Sequence, residues 1–409
     1  MILWKTAWKN ICNTLALNII TVLQMVATMI ITVILISSIL LRYQYYSPMK
    51  DYFQANGIYG IFPLYAMKNQ ENGINVDNWL DDDGLKAELD GAQEVIGSAF
   101  TYCTLPDGSS INSYAYTDNL IDHFTPRLES GRWLSTSNNT NQLEVVISQN
   151  DFGWKVGDII ELSFFHAAGI TNYEFCVVGI LEEDAKIPSG MTNSKTIDFM
   201  HFYQTYSFHI EETPVVLMNL EALKGLHDGP DILRAMTASY IVTYPNNYTE
   251  DQLNVERSKL AEYGSAVTIL LSEMQDNNRH YLYRQMYDLL PVILVLLVLT
   301  GVGCISSGAL TTRSRLHDYA IYYVTGLQWK QCIRINLIQS SICGGFSAVT
   351  SIIILKTIQY TNLSNYCRVI WSPQVFIGIM VIFIIYLLIS TLMPIIIIGR
   401  STPKQILAK

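Results

Sequence analysis

Four uncharged apolar runs limit what this chain can fold into. Leu15 to Leu41, Leu289 to Leu310, Ile335 to Leu355 and Val369 to Gly399 contain no Asp, Glu, Lys, Arg or His. About 20 apolar residues cross a bilayer core, so each run is long enough to span it. The first run is far longer than the roughly 7–15 apolar residues of a signal peptide, and no A-x-A-like site follows it. It reads as a retained anchor. The expected fold class is therefore a membrane protein with four transmembrane α-helices and an α+β extracytoplasmic domain between the first and second spans.

The charges divide along the same boundaries. Residues 43–284 hold 14 Lys+Arg against 33 Asp+Glu, a net of −19, and the rest of the chain carries +10. Lys5 and Lys9 precede the first span. Arg313, Arg315, Lys330 and Arg334 lie between the second and third, and Arg400, Lys404 and Lys409 follow the fourth. Basic residues stay on the cytoplasmic side, so both termini and the connection after the second span are expected in the cytoplasm of a multi-pass cell-membrane protein. Segment 42–286 is then outside. No basic stripe points to nucleic acid.

The resulting division is an amphipathic interfacial helix over 1–14, spans over 15–41, 287–310, 333–356 and 370–399, a cytoplasmic segment over 311–332 and a tail over 400–409. In the first of these Trp4, Ala7, Trp8 and Ile11 share one helical face while Lys5, Lys9 and Asn10 lie on the other, a pattern suited to the membrane lipid interface. In span one Asn18, Thr21, Met25, Thr28 and Thr32 form a heptad seam, expected to pack against another helix or a second copy. Gly301 and Gly303 offer a close-approach surface on span two. No ionisable residue lies well inside a span, which weighs against proton-coupled transport and ion conduction.

The outer segment reads as mixed α/β. "GIYGIFPLY", "EVIGSAFTYCTL", "QLEVVIS", "DIIELSFF", "YEFCVVGIL", "SYIVTY" and "AVTILL" are strand-like, with a β-rich insert near 128–230. A polar helix is expected over 75–92, and "TEDQLNVERSKLAEYG" is a second, with Thr249 as its cap. Residues 272–290 continue as helix into the second span. Cys103 and Cys176 read as two buried thiols, with a disulfide between them as the alternative.

Catalytic signatures are missing. "SGMTNSKT" at 189–196 lacks both required glycines of a P-loop, and there is no G-x-S-x-G, H-E-x-x-H or C-x-x-C. "WLDDDG" lacks the spaced ligands of a calcium loop. His201 and His209 read as ordinary surface or core histidines. The chain is not expected to be an enzyme or to hold a metal.

Three local patterns carry a resemblance. Gly131–Arg132–Trp133, Val156–Gly157–Asp158 and Val177–Val178–Gly179–Ile180 follow one another in the outer segment. Pro394, Pro403 and Leu407 fit P-x8-P-x3-L at the end. Between the second and third spans, Asp318 and Gly326 fit the acidic and glycine positions of R-x-x-E-I-x-x-L-R-A-L-G. In this order, and with this layout, the chain resembles the MacB/FtsX-type permeases of ABC transporters, the mechanotransmission class. It departs where Asp replaces Glu at 318, where Tyr323 stands for an arginine, and where Gln339 takes the position of an acidic residue in the third span.

The resemblance implies a MacB-like periplasmic core domain and a permease subunit with no cofactor of its own, ATP and Mg being bound by a cytoplasmic ABC ATP-binding subunit. It also implies a second permease chain, alike or different. Arg315, Asp318, Tyr322 and Gly326 would couple to the ATP-binding subunit. The expected function is export or extraction of a peptide, lipid or amphipathic drug. The alternatives are mechanotransmission to an extracellular partner such as a cell-wall hydrolase, or sensing of a cationic antimicrobial peptide in immunity.

Overall fold

The structure, a computed structural model, describes residues 2–13, 15–62, 86, 89–136, 142–149, 152–166, 169–183, 185–189, 196–205, 214–229, 232, 237–262, 265–324, 326, 328–359 and 369–400. Most of the polar helix expected over 75–92 falls outside these residues, as do "WLDDDG", most of "SGMTNSKT", and Pro403 and Leu407. The chain forms two compact units, Arg42–His280 and a second made of Met1–Leu41 with Tyr281–Lys409. The longer helices are α1 (Ile2–Asn13), α2 (Leu15–Tyr46), α3 (Glu250–Glu262), α4 (Leu271–Ser314), α5 (Leu316–Val324), α6 (Trp329–Gln359) and α7 (Pro373–Arg400).

In the 42–280 unit the strands are β1 (Asn56–Phe62), β2 (Glu94–Thr104), β3 (Ser110–Tyr116), β4 (Leu128–Gly131), β5 (Glu144–Ile147), β6 (Ile159–His166), β7 (Gly169–Leu181), β8 (Lys186–Pro188), β9 (Tyr203–Thr205), β10 (Val215–Asn219), β11 (Thr237–Tyr244) and β12 (Val267–Leu270). Six of them close on themselves. β2 pairs with β3, β3 with β10, β10 with β5, β5 with β7, β7 with β6, and β6 returns to β2 through Cys103 opposite Phe164. Alternation sends one set of side chains into the ring, as closure requires. Cys103, Ile111, Val145, Ile147, Leu162, Phe164, Phe175, Val177, Val216 and Met218 are all buried there in one cluster. Burying a side chain such as Phe164 stabilises by about 1.5–3 kcal/mol.

β11, β1 and β12 extend the sheet from β2, in antiparallel register. α3 covers this wing with Leu253 and Leu260. Its start is a capping box: Thr249 Oγ1 accepts from Gln252 N–H at 3.4 Å, and Gln252 Oε1 accepts from Thr249 N–H at 2.9 Å. The strands of the β-rich stretch near 128–230 join the same sheet as the flanking ones, because β10 pairs with β3 and β6 with β2. Cys103 and Cys176 stand opposite Phe164 and Ile159 of β6, five residues apart along that strand. That separation is about 17 Å, beyond disulfide reach. Burial lifts the Cys103 thiol to about 12.

A second cluster lies at Arg42 and residues 186–205. Arg42 forms an ion pair with Asp198, and the two side chains are only 9% and 8% exposed. Asp198 also accepts from Met200 N–H at 2.9 Å and lies 3.0 Å from His201 Nδ1. Phe53 stacks on Phe199 at 4.4 Å, and the Lys186 ammonium sits 3.9 Å from the centre of the Tyr45 ring.

In the other unit, α2, α4, α6 and α7 are long and apolar enough to cross a membrane. Met25, Met29 and Val33 of α2 pack with Cys304 of α4, Leu355 of α6, and Val375, Ile379, Ile382 and Tyr386 of α7. The buried hydroxyls of Thr28 and Ser351 bond inside the bundle, since hydrocarbon offers them no partner. Thr28 donates to Gln24 O at 2.9 Å and accepts from the Tyr386 hydroxyl at 3.2 Å. Ser351 donates to Ser347 O at 2.8 Å. Val292, Leu294, Val298 and Val302 of α4 and Ile377, Met380, Ile384 and Leu388 of α7 are exposed apolar side chains, the surface a lipid-facing helix presents.

Candidate functional site

Among the described residues no group of His, Cys, Asp and Glu is arranged to hold a metal. The features that stand out in the helical unit are α5 and a polar cavity in the bundle.

A single residue, Arg315, separates α5 from α4. At Arg315 the chain turns: its N–H reaches back to Thr312 O at 3.3 Å, and its carbonyl accepts from Tyr319 N–H at 2.9 Å. The nine residues that follow form a two-sided helix. Tyr319 and Ala320 are buried, and Tyr319 clusters with Ala7 of α1 and Ile335 of α6. His317, Asp318, Ile321 and Val324 are exposed on the other side, with Val324 at 69%. Asp318 lies in the first turn, where a carboxylate is favoured by the helix dipole. Gly326 ends the segment with φ +104°, a conformation open to glycine and strained for other residues.

α1 is pinned by the same cluster. Leu3, Ala7 and Asn10 recur at helical spacing on its inner face, and Ala7 and Asn10 are fully buried. Arg315 donates to the Asn10 side chain, and Asn18 of α2 donates to Ile11 O at 3.1 Å. Trp4 and Trp8 are 58% and 55% exposed beside Lys5 and Lys9. The apolar stripe read from the sequence is therefore split: Ala7 faces the protein and the tryptophans face away.

The structure separates the four coupling candidates. Asp318 and Gly326 are exposed, Arg315 is turned toward α1, and Tyr322 is described here only by its position in α5. Ile321 and Val324 were not singled out from the sequence; their exposure on a short helix whose opposite face is buried is what marks them. The heptad seam lies within the bundle of one chain. Asn18, Met25 and Thr28 are buried, while Thr21 and Thr32 are half-buried. A Cβ at Gly303 would lie 2.7 Å from Gln24 Oε1, and one at Gly301 would meet Ile389 at 3.7 Å, so both glycines face neighbouring helices of the same chain.

Between α2, α4, α6 and α7 is a cavity of about 40 Å³ whose polar lining is Asn18, Thr21, Asn336, Gln339, Ser340 and Ser390. Asn336 and Gln339 are 5% and 7% exposed, and among the described residues Asn336 Nδ2 and Gln339 Oε1 have no hydrogen-bond partner. An orphaned buried polar group costs about 1–3 kcal/mol. The sequence signal for this site was present in Asn336 and Gln339 at i and i+3, one helical face, inside an otherwise apolar run.

No protein-family profile matches the chain, and no curated protein matches it. Solved structures do. The extracellular domain of the noncanonic ABC-type transporter YknZ from Gram-positive bacteria is similar at 14% identity with a TM-score of 0.29, over 52% of this chain and 98% of that one. A domain ascribed to a permease protein from Porphyromonas gingivalis is similar at 10% identity with a TM-score of 0.27, over 53% of this chain and 86% of that one.

Proposed function

We propose that this chain is the membrane-spanning subunit of an ABC transporter of the MacB/FtsX type, and that α5 is the element a separate cytoplasmic ATP-binding subunit holds. The observation that carries the reading is α5 itself. One face is fixed to α1 and α6 through Tyr319, and the other presents Asp318, Ile321 and Val324 at the basic ends of the helices. A helix built this way suits a groove on a partner protein, with apolar anchors flanked by a charge. In this reading both termini and α5 are cytoplasmic, unit 42–280 is outside, and ATP and Mg²⁺ bind to the partner.

Two permease chains, identical or different, would pair with two ATP-binding subunits. Closure of those subunits displaces α5 and with it the adjoining end of α4, a 44-residue helix. The work done outside is expulsion or extraction of a peptide, lipid or amphipathic drug. The −19 charge of residues 43–284 favours cationic ligands by raising encounter rates. Regulation of an extracellular partner, such as a cell-wall hydrolase, uses the same motion without moving a substrate.

The test is on α5. Val324→Cys, loaded with a photocrosslinker in native membranes, should capture a P-loop ATPase. Adding Asp318→Lys or Gly326→Pro should reduce capture severalfold while leaving membrane insertion unchanged. The proline ring confines φ to negative values and cannot reproduce the turn at Gly326. Undiminished capture in both variants would remove α5 from this role.

A further inference from the structure

We infer that the cavity among α2, α4, α6 and α7 is a hydration site, in which a small cluster of ordered water bridges Asn336 to Gln339. The inference rests on the bundle alone and holds whichever partner α5 engages. Two side chains point to it independently of the cavity's shape: Asn336 Nδ2 is a donor and Gln339 Oε1 an acceptor, both buried and both without a partner among the described residues. The surrounding hydrocarbon supplies neither group.

The chemistry of the pair selects the guest. At i and i+3 the two residues are neighbours on one helical face, with Cβ atoms about 5–6 Å apart, so their side-chain amides lie within reach of bridging water that bonds each at about 2.9 Å. A metal cation fits the carbonyl oxygen but meets the Asn336 amide hydrogens. An anion fits the amide but meets the Gln339 oxygen. A lipid tail satisfies neither. Water donates to one and accepts from the other, and the lining contains no charged side chain that would ask for anything else.

Size and further partners agree. A buried water needs room for its own sphere and two to four polar neighbours. The cavity's 40 Å³ exceeds that single-water minimum and admits a small cluster. Ser390 donates to Leu387 O at 3.2 Å, which leaves its oxygen free to accept, and Ser340 lines the same space. The layer built on Met29 and Val33 contrasts with it: both are fully buried among apolar side chains. α6 is therefore joined to its neighbours by exchangeable water at one level and by close apolar packing at another. Helices sliding past one another break fewer fixed contacts at the wet level.

Water-edited solid-state NMR on the full chain in lipid nanodiscs tests this. Polarisation from water should reach the Asn336 and Gln339 side-chain amides at least threefold faster than the methyl groups of Met29 and Val33. The amide signals are identified by their loss in Asn336→Leu and Gln339→Met. Gln339→Met keeps the side-chain length but removes the bridge, so it should also slow build-up at Asn336 at least twofold. Build-up at the amides no faster than at Met29 and Val33 would show a dry cavity and overturn the proposal. Unchanged build-up at Asn336 in Gln339→Met would overturn the bridge.

Discussion

Removing Asp198 should destabilise the 42–280 unit more than almost any other single polar change. Its carboxylate pairs with Arg42, whose side chain is 9% exposed, so Asp198→Ala strips a nearly buried guanidinium of this counter-charge. Breaking such a pair costs about 3–5 kcal/mol. For a unit of this size each kcal/mol lowers Tm by about 2–4 °C, giving a fall of roughly 6–20 °C. The assay is thermal unfolding of the full chain in detergent, followed by near-ultraviolet circular dichroism, to which Tyr45, Tyr46 and Tyr203 of the same cluster contribute. Arg42→Met/Asp198→Leu removes both charges and should recover most of the loss, a coupling that a double-mutant cycle reads directly. The sign of the pH dependence follows from the same contacts. Burial pushes the carboxyl up, but the His201 hydrogen bond and the Arg42 charge outweigh it and hold it below the usual carboxylate value. Its contribution is complete above about pH 4, the unfolded carboxylate pKa, and is lost as pH falls through the lowered folded value. If Asp198→Ala melts with the wild type, or the double variant is worse than the two singles added together, the pair is not what holds this cluster.

Two other substitutions probe separate parts of the fold. Gly131→Ala should cost about 1 kcal/mol or more in the same unfolding assay. Its φ is +82°, and the new Cβ would strike the Val178 carbonyl on the paired strand. Tyr386→Phe should lower bundle stability by about 0.6 kcal/mol, the usual worth of one interhelical hydrogen bond, read as a small shift in the resistance of the helical unit to sodium dodecyl sulfate.

Local patterning made much of this fold readable. The alternation in "EVIGSAFTYCTL" appears as β2, with Val95, Ala99 and Cys103 on one buried face, and the T-x-x-Q at 249–252 appears as a capping box. Boundaries were blurred where one element flows into another: "AVTILL" reads as strand throughout, yet Leu271 already belongs to α4. The closed ring was not legible, since its decisive pairings join residues such as Cys103 and Phe164, or Val216 and Ser113, that no local period connects. At the site, helical spacing in the sequence puts Leu316, Tyr319, Ala320 and Tyr323 on one side, and Tyr319 and Ala320 are buried in α5. The spacing did not show that Arg315 turns to Asn10, because that contact joins positions 305 residues apart. Nor did it show that Asn336 and Gln339 lack partners, which depends on what the other three helices bring.

The central claim is that a separate ATPase drives this chain. Affinity purification of the tagged full chain from its native membranes, with ATP hydrolysis assayed on the eluate, tests it most directly. The account predicts a stoichiometric P-loop ATPase whose activity leaves the eluate when Asp318→Lys is introduced. An eluate with no ATP-binding subunit and no hydrolysis, from correctly inserted protein, would contradict it.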